Sequence, residues 1–145
     1  MKHFLNKEME KYKNLGDDEE RDLRSVFRKS VRLSKTVFGD NAFHRFEVGS
    51  NKNPNGYHEK KMNKGLFDII MFGFTMYDGN QIVPNSDAIR EELLWMMTHE
   101  YDFINAISGS GTDGKEKTLT RFDKWHTALK EVVGIPRTEP RIFSF

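Results

Sequence analysis

The stretch from Asp17 to Phe38 constrains the fold of this chain most, because its apolar residues recur every three or four positions. That spacing places them on one side of an α-helix. Residues 17–20 are all acidic, which suits the first turn of a helix, and Gly39 can adopt the left-handed conformation that ends one. The pattern predicts a long amphipathic helix. Its apolar residues are Leu23, Val26, Phe27, Val31, Leu33, Val37 and Phe38.

Two further helices follow from apolar periodicity. Phe4 to Tyr12 predicts a short amphipathic helix that ends near Gly16. Met62 to Tyr77 is apolar on nearly every side, and its length favours a helix over a strand. This segment therefore predicts a central buried helix.

Capping residues mark the start of two more helices. Positions 84–87 read Pro-Asn-Ser-Asp and introduce a helix that continues to Ile107, with a bend expected near His99. Asp113, with Glu116 three residues later, predicts the N-cap and capping box of a last helix.

Patterns typical of β-strands are nearly absent from the chain. Residues 47–61 are rich in Gly, Asn and Pro and predict a long loop. The 145 residues suit one domain, so we expect an all-α fold in which about five or six helices pack in one irregular bundle over residues 1–145. The tail, residues 135–145, contains two prolines, and either docks across a groove in extended form or hangs free.

Composition excludes several classes of protein. The absence of cysteine excludes disulfides, thiolate metal sites and cysteine nucleophiles. The 23 basic and 22 acidic residues leave a net charge of +1, so any contact with a nucleic acid would need a local basic patch. The apolar runs are too short for a membrane span, and the N-terminal residues lack a signal-peptide core, so we expect a cytoplasmic protein without a membrane partner.

Two motifs have part of the pattern of an enzyme site. Residues 109–116 have the glycines and lysine of a phosphate-binding loop, but Glu116 replaces the hydroxyl that would hold Mg²⁺, which favours a turn between helices. Glu59-Lys60-Lys61 has the acidic-x-Lys order of some nucleases, but no strand is evident there. The five histidines lack the spacing of a zinc site. We therefore expect no catalytic residue, no cofactor and no metal.

The predicted helix of Asp17 to Phe38 carries five cations within one sector of roughly 80°, opposite its apolar side. Lysines in and after the long loop would extend this basic surface. Two interpretations stay open: a solvated outer face, or a face that contacts the phosphates of a nucleic acid. The cations are Arg21, Arg24, Arg28, Arg32 and Lys35 on the helix, and Lys60, Lys61 and Lys64 beyond it.

Several segments, taken in order, resemble the C-terminal helical half of a prokaryotic family whose best-known members are the GmrSD-type restriction proteins for modified DNA. These segments are Phe4 to Met9, Phe27, Val37 to Arg45, Asn63 to Asp68, Phe103 to Ser108 with the following Gly/Thr loop, and Thr120 to Phe122. Family members begin with a ParB/sulfiredoxin-like nuclease domain, which carries an Asp-Gly-Gln-Gln-Arg motif. Only Asp78-Gly79-Asn80-Gln81 echoes that motif here, without its arginine, so we expect the catalytic domain to be missing.

The resemblance implies a non-catalytic helical module in a defence or restriction-modification setting. Such a module would scaffold a nuclease-like partner domain and contact DNA through the basic helix face. The alternative is a structural or protein-binding helical domain with no role on nucleic acid, in which aromatic segments around Phe43 to Phe46 and Phe143 to Phe145 form the interface. The sequence leaves the oligomeric state open.

Overall fold

The computed structural model describes residues 16–135. The helix predicted for Phe4 to Tyr12 lies outside the described residues, and so does the tail after Ile135. Within residues 16–135 the α-helices are α1 Asp17–Phe38, α2 Lys64–Thr75, α3 Gly79–Ile82, α4 Ser86–His99, α5 Tyr101–Ile107 and α6 Lys115–Val133. Two strands, β1 His44–Glu47 and β2 Tyr57–Met62, form a small antiparallel hairpin. The predicted all-α bundle is confirmed as a mostly helical fold.

Helix α1 begins and ends where the sequence predicts. The four acidic residues 17–20 lie in its first turn, and Gly39 has a φ of 61° at its end, where its N–H bonds to the Lys35 carbonyl. All of its buried residues lie in the second half, from Ser30 to Phe38. In the first half of α1, residues 17–29, no side chain is fully buried by the described part of the chain.

Helix α2 is the central element of the core, as its sequence predicts. Asn63 caps it, because the side-chain Oδ1 accepts the Leu66 N–H at 3.0 Å. Leu66, Ile69, Ile70 and Phe74 are fully buried between α1 on one side and α5 and α6 on the other. Their burial removes most of this helix from water and makes it the main source of hydrophobic stabilisation.

Helices α1 and α2 run antiparallel. The Lys29 ammonium donates to the Tyr77 carbonyl at 2.9 Å, just past the end of α2. Further along α1, the Phe38 ring stacks on Phe74 with centroids 6.2 Å apart. The N-terminal end of α2 therefore lies beyond the C-terminal end of α1.

The loop predicted over residues 47–61 is wrong in its second half, because β2 occupies Tyr57–Met62. Its partner pairs are His44 with Met62, Phe46 with His58 and Glu47 with Tyr57, with an irregularity between residues 44 and 46. Strand β2 is mostly polar and has no alternating apolar pattern, so its formation depends on packing rather than local preference. Phe46 anchors the hairpin: its backbone N–H lies 3.4 Å from the Met97 sulfur on α4.

Smaller corrections concern helix ends. The bend expected near His99 is present, because Glu100 is extended and separates α4 from α5. The N-cap of α6 is Gly114 rather than Asp113, and no side chain caps it. Residues 79–82 form the short helix α3. Between residues 16 and 135, no helix has both the length and the apolar content that a membrane span requires.

Candidate nucleic-acid interface

The five predicted cations of α1 are all exposed, and together they form what we term the α1 basic face: Arg21, Arg24, Arg28, Arg32 and Lys35. Three of them make ion pairs within their own neighbourhood. Arg21 lies 3.5 Å from Asp18, Arg24 lies 2.5 Å from Glu20, and Lys35 lies 3.4 Å from Asp40. Pairs this exposed contribute about 0–1 kcal/mol, so a phosphate can displace the carboxylates.

Arg28 and Arg32 hold the centre of this face. Among residues 16–135, neither guanidinium has a hydrogen-bond or ion-pair partner. They lie one turn apart, about 6 Å along the helix axis. No acidic residue occurs between Asp22 and Asp40, so Arg28 and Arg32 have no carboxylate within one helical turn on α1.

Apolar side chains border the α1 basic face. Phe27 is 51% exposed and Val31 is 39% exposed, and helical geometry places both beside Arg24 and Arg28. An exposed aromatic ring next to arginine is suited to an aromatic or base-like ligand as well as to an anion.

The three lysines predicted to extend this surface lie on β2 and at the start of α2, and no residue of α1 lines the cleft that two of them share. Lys60 is exposed on β2, while Lys61 and Lys64 line a cleft of about 380 Å³ together with Arg45, Glu59 and Gly109. Lys64 begins α2, so this cleft lies past the C-terminal end of α1. The α1 basic face is about 21 Å long from Arg21 to Lys35. Lysines beyond the end of α1 are therefore near one end of this face at most.

Arg45 organises the hairpin through two carboxylates. Its Nη2 donates to Glu47 on the same strand and to Glu59 on β2, the latter at 2.8 Å. The hydrogen bond to Arg45 lowers the pKa of Glu59 below its usual value, and the same bond raises the pKa of Arg45.

The expectation that no strand carries Glu59-Lys60-Lys61 is therefore wrong. The motif lies on β2 and has a second acidic residue, Glu47, on the neighbouring strand. Both carboxylates face the Arg45 guanidinium, which offsets part of their charge. Among residues 16–135, no group of three or more acidic or histidine side chains is arranged to hold a metal ion. Arg45, Glu47 and Glu59 therefore form an ion-pair network that links the two strands of the hairpin.

The Gly/Ser loop before α6 turns its carbonyl groups, rather than its N–H groups, toward neighbouring cations. Lys117 Nζ bonds to the Ser108 carbonyl at 3.1 Å and to the Ser110 carbonyl at 3.2 Å, and Arg121 bonds to the Thr112 carbonyl. A phosphate-binding loop needs the opposite orientation, with N–H groups converging on the anion. Helix α5 also precedes this loop where such motifs have a strand.

Arg121 is a structural residue that reasoning from the sequence missed. Its side chain is buried at 3% exposure, bonds to the Thr112 and Ala106 carbonyls, and lies 3.7 Å from Asp68. Burial lowers the pKa of Arg121 and raises that of Asp68. Both residues lie in segments that carry the family resemblance, and this was the only signal that could have singled them out.

The aromatic segment suggested as a protein interface faces inward. Phe43 packs edge-on against Phe67 at 5.0 Å, and Phe46 packs against His58 at 5.1 Å. Both rings are half-buried against the core, and the interface at Phe43 to Phe46 stays a prediction. Phe143 to Phe145 lie outside the described residues.

No family model, curated protein or solved structure matches this chain.

Proposed function

We propose that this chain is a non-catalytic helical module that binds the phosphate backbone of a nucleic acid, DNA in the first place, through the α1 basic face. The observation that carries the proposal is the run from Leu23 to Phe38, which has no acidic residue and presents Arg28 and Arg32 without partners in the described part of the chain.

The geometry favours contacts to the backbone over recognition of base sequence. Guanidinium groups match phosphate oxygens with two parallel hydrogen bonds, and four of the five cations are arginines. Their spacing along one straight helix presents a row of charges, which suits a row of phosphates. Binding should therefore depend steeply on salt concentration and weakly on sequence.

The second part of the proposal is that the module accompanies a nuclease-like domain. Its support is the resemblance of several segments to the helical half of GmrSD-type restriction proteins. The exposed Phe27 and Val31 offer an apolar strip beside the cations, where such a domain could dock while DNA lies across α1.

Fluorescence anisotropy with a labelled duplex, measured across a salt series, tests the nucleic-acid part. Changing all five residues of the α1 basic face to glutamine should abolish most of the binding while circular dichroism shows an unchanged helix content. A second variant with Lys60, Lys61 and Lys64 changed to glutamine should bind nearly as well as the wild type. Equal binding by the first variant and the wild type would refute the proposal.

The alternative function, a protein-binding helical domain, now has a different candidate surface. The exposed Phe27 and Val31 are a better candidate contact than the half-buried rings of Phe43 and Phe46. Light scattering across concentration separates the two functions. A monomer that binds duplex supports the nucleic-acid module, whereas a dimer that dissociates on Phe27→Ser and ignores DNA supports the alternative.

A further inference from the structure

A small pocket lined by basic side chains lies between the C-terminal end of α1, the hairpin and α4. The pocket has a volume of about 100 Å³ and is one of the more enclosed cavities of the described residues. Its polar lining residues are Asn41, His44, His58 and Arg90, and its apolar wall includes Phe38 and Met97. We call it the histidine pocket.

Several nitrogen atoms in this pocket make no hydrogen bond within residues 16–135. Arg90 Nε donates to the Val37 carbonyl at 2.8 Å and Nη1 bonds to Asp87 at 3.1 Å, which leaves Nη2 without a partner among residues 16–135. His44 Nδ1 lies 2.7 Å from the Glu59 carbonyl and must carry the proton there, since a carbonyl only accepts. Its Nε2 and both ring nitrogens of His58 make no hydrogen bond in the described residues.

The ionisable residues that line the pocket are all basic. Every titratable group that lines it is a cation or becomes one, and no carboxylate does so. Three carboxylates from neighbouring segments are paired: Asp87 with Arg90 Nη1, Asp40 with Lys35, and Glu59 with Arg45. Burial lowers the pKa of His58, and the neighbouring His44 lowers it further.

We propose that the histidine pocket binds one tetrahedral oxyanion group, the phosphate of a nucleotide or nucleic acid, between Arg90, His44 and His58. The Nη2 of Arg90 and the imidazole N–H groups that His44 and His58 offer when protonated supply donors for three oxygens, and the apolar wall strengthens each contact by excluding water. The cavity has room for one such group. The inference does not need the α1 basic face, although the pocket lies directly past the end of α1.

Histidine side-chain NMR tests the site with sulfate as the probe, because sulfate keeps its charge across the range where imidazoles titrate. Adding sulfate should shift the ring signals of His44 and His58 and raise the pKa of His58, with binding roughly tenfold tighter at about pH 6 than at about pH 8. The exposed His99 serves as the internal control and should not respond. Equal responses from all three histidines, or none, would overturn the proposal.

Variants separate the site from general ionic effects. Arg90→Gln should remove the response of His58 to sulfate while leaving the helix content intact. Because Arg90 also contacts α1, the milder His58→Gln provides a second variant, in which the response of His44 should weaken by about tenfold. Retention of full sulfate binding by both variants would contradict the assignment.

Two further titrations identify the source of the oxyanion. Inorganic phosphate should behave like sulfate, which establishes the chemistry of the site. A short oligonucleotide with a 5′-phosphate should shift His58, and the same oligonucleotide without it should not if a terminal phosphate is the ligand. If both shift His58, the pocket takes a backbone phosphate. If neither does while sulfate binds, the nucleic-acid source is refuted and a free anion is the ligand. The glutamine variant of the α1 basic face should keep its sulfate response, so failure of one proposal leaves the other standing.

Discussion

Arg121 shows at the scale of one residue how this fold buries a charge. Its guanidinium is held by two carbonyls and by Asp68, and its Nε has no partner in the described residues. Arg121→Ala removes the donors of both carbonyls and leaves a cavity, so we expect a loss of about 2–4 kcal/mol in the free energy of unfolding.

Urea unfolding followed by circular dichroism measures this loss. Arg28→Ala is the matched control, since Arg28 is exposed, and it should change the free energy of unfolding by less than about 0.5 kcal/mol. A similar, small effect of both substitutions would show that Arg121 is not a structural anchor.

Gly73 marks the closest approach of α2 and α6. A Cβ at this position would lie 2.8 Å from Leu129 Cδ1 and 2.9 Å from Trp125 Nε1. Overpacking of this kind costs about 1–3 kcal/mol, and the better helix propensity of alanine offsets up to about 1 kcal/mol of it. Gly73→Ala should therefore lower the free energy of unfolding by about 1 kcal/mol.

Thermal or urea unfolding detects that change, with Gly79→Ala as the control. A Cβ at Gly79 has only Leu33 nearby, at 3.9 Å, which is an ordinary contact. A Gly73→Ala protein at least as stable as the wild type would mean that α2 and α6 are not in close contact at Gly73.

Among the elements, the hairpin is the one whose stability should respond to mild acid. His58 has a lowered pKa in the folded protein, so its contribution to stability is present above the unfolded value, near 6.5, and is lost as the pH falls through the folded value. Glu59 also has a lowered pKa, but its contribution is lost only at more acidic pH. We expect backbone amides of β1 and β2 to exchange faster as the pH falls below about 6.5, after correction for intrinsic rates.

Hydrogen exchange of His58→Gln, measured from about pH 7.5 to pH 5.5, checks this expectation. The variant should flatten the pH dependence of the hairpin, while the exposed His99→Gln should retain it. An unchanged pH dependence in His58→Gln would assign the effect to another group.

The helices and the hairpin differ in how far the sequence specifies them. The ends of α1 could be predicted because acidic residues in the first turn and a glycine at the last are local signals. Strand β2 could not, because Tyr57 to Met62 has no alternating pattern and is held by Arg45, Phe46 and the contact to α4. The capping prediction at Asp113 failed because backbone geometry, not a side chain, begins α6 at Gly114.

Across the whole molecule, periodicity indicates which side of a helix is apolar but not which partner covers it. The first half of α1 illustrates the difference: its apolar positions continue the pattern of the second half, yet Phe27 is largely exposed. The same holds for the candidate interface. Five cations on one face could be predicted from spacing, but their separation from Lys61 and Lys64 depends on the antiparallel packing of α1 and α2, which no local pattern encodes.

The central claim is that Arg28 and Arg32 neutralise phosphates of a bound duplex. Plotting the logarithm of the association constant against the logarithm of salt concentration tests it, because each lost phosphate contact changes the slope by about 0.9 for duplex DNA. The double variant of Arg28 and Arg32 to glutamine should make the slope shallower by about 1.8, whereas a double variant of the exposed Lys115 and Lys130 should leave it unchanged. Equal slopes for the wild type and the Arg28 and Arg32 variant would contradict the account.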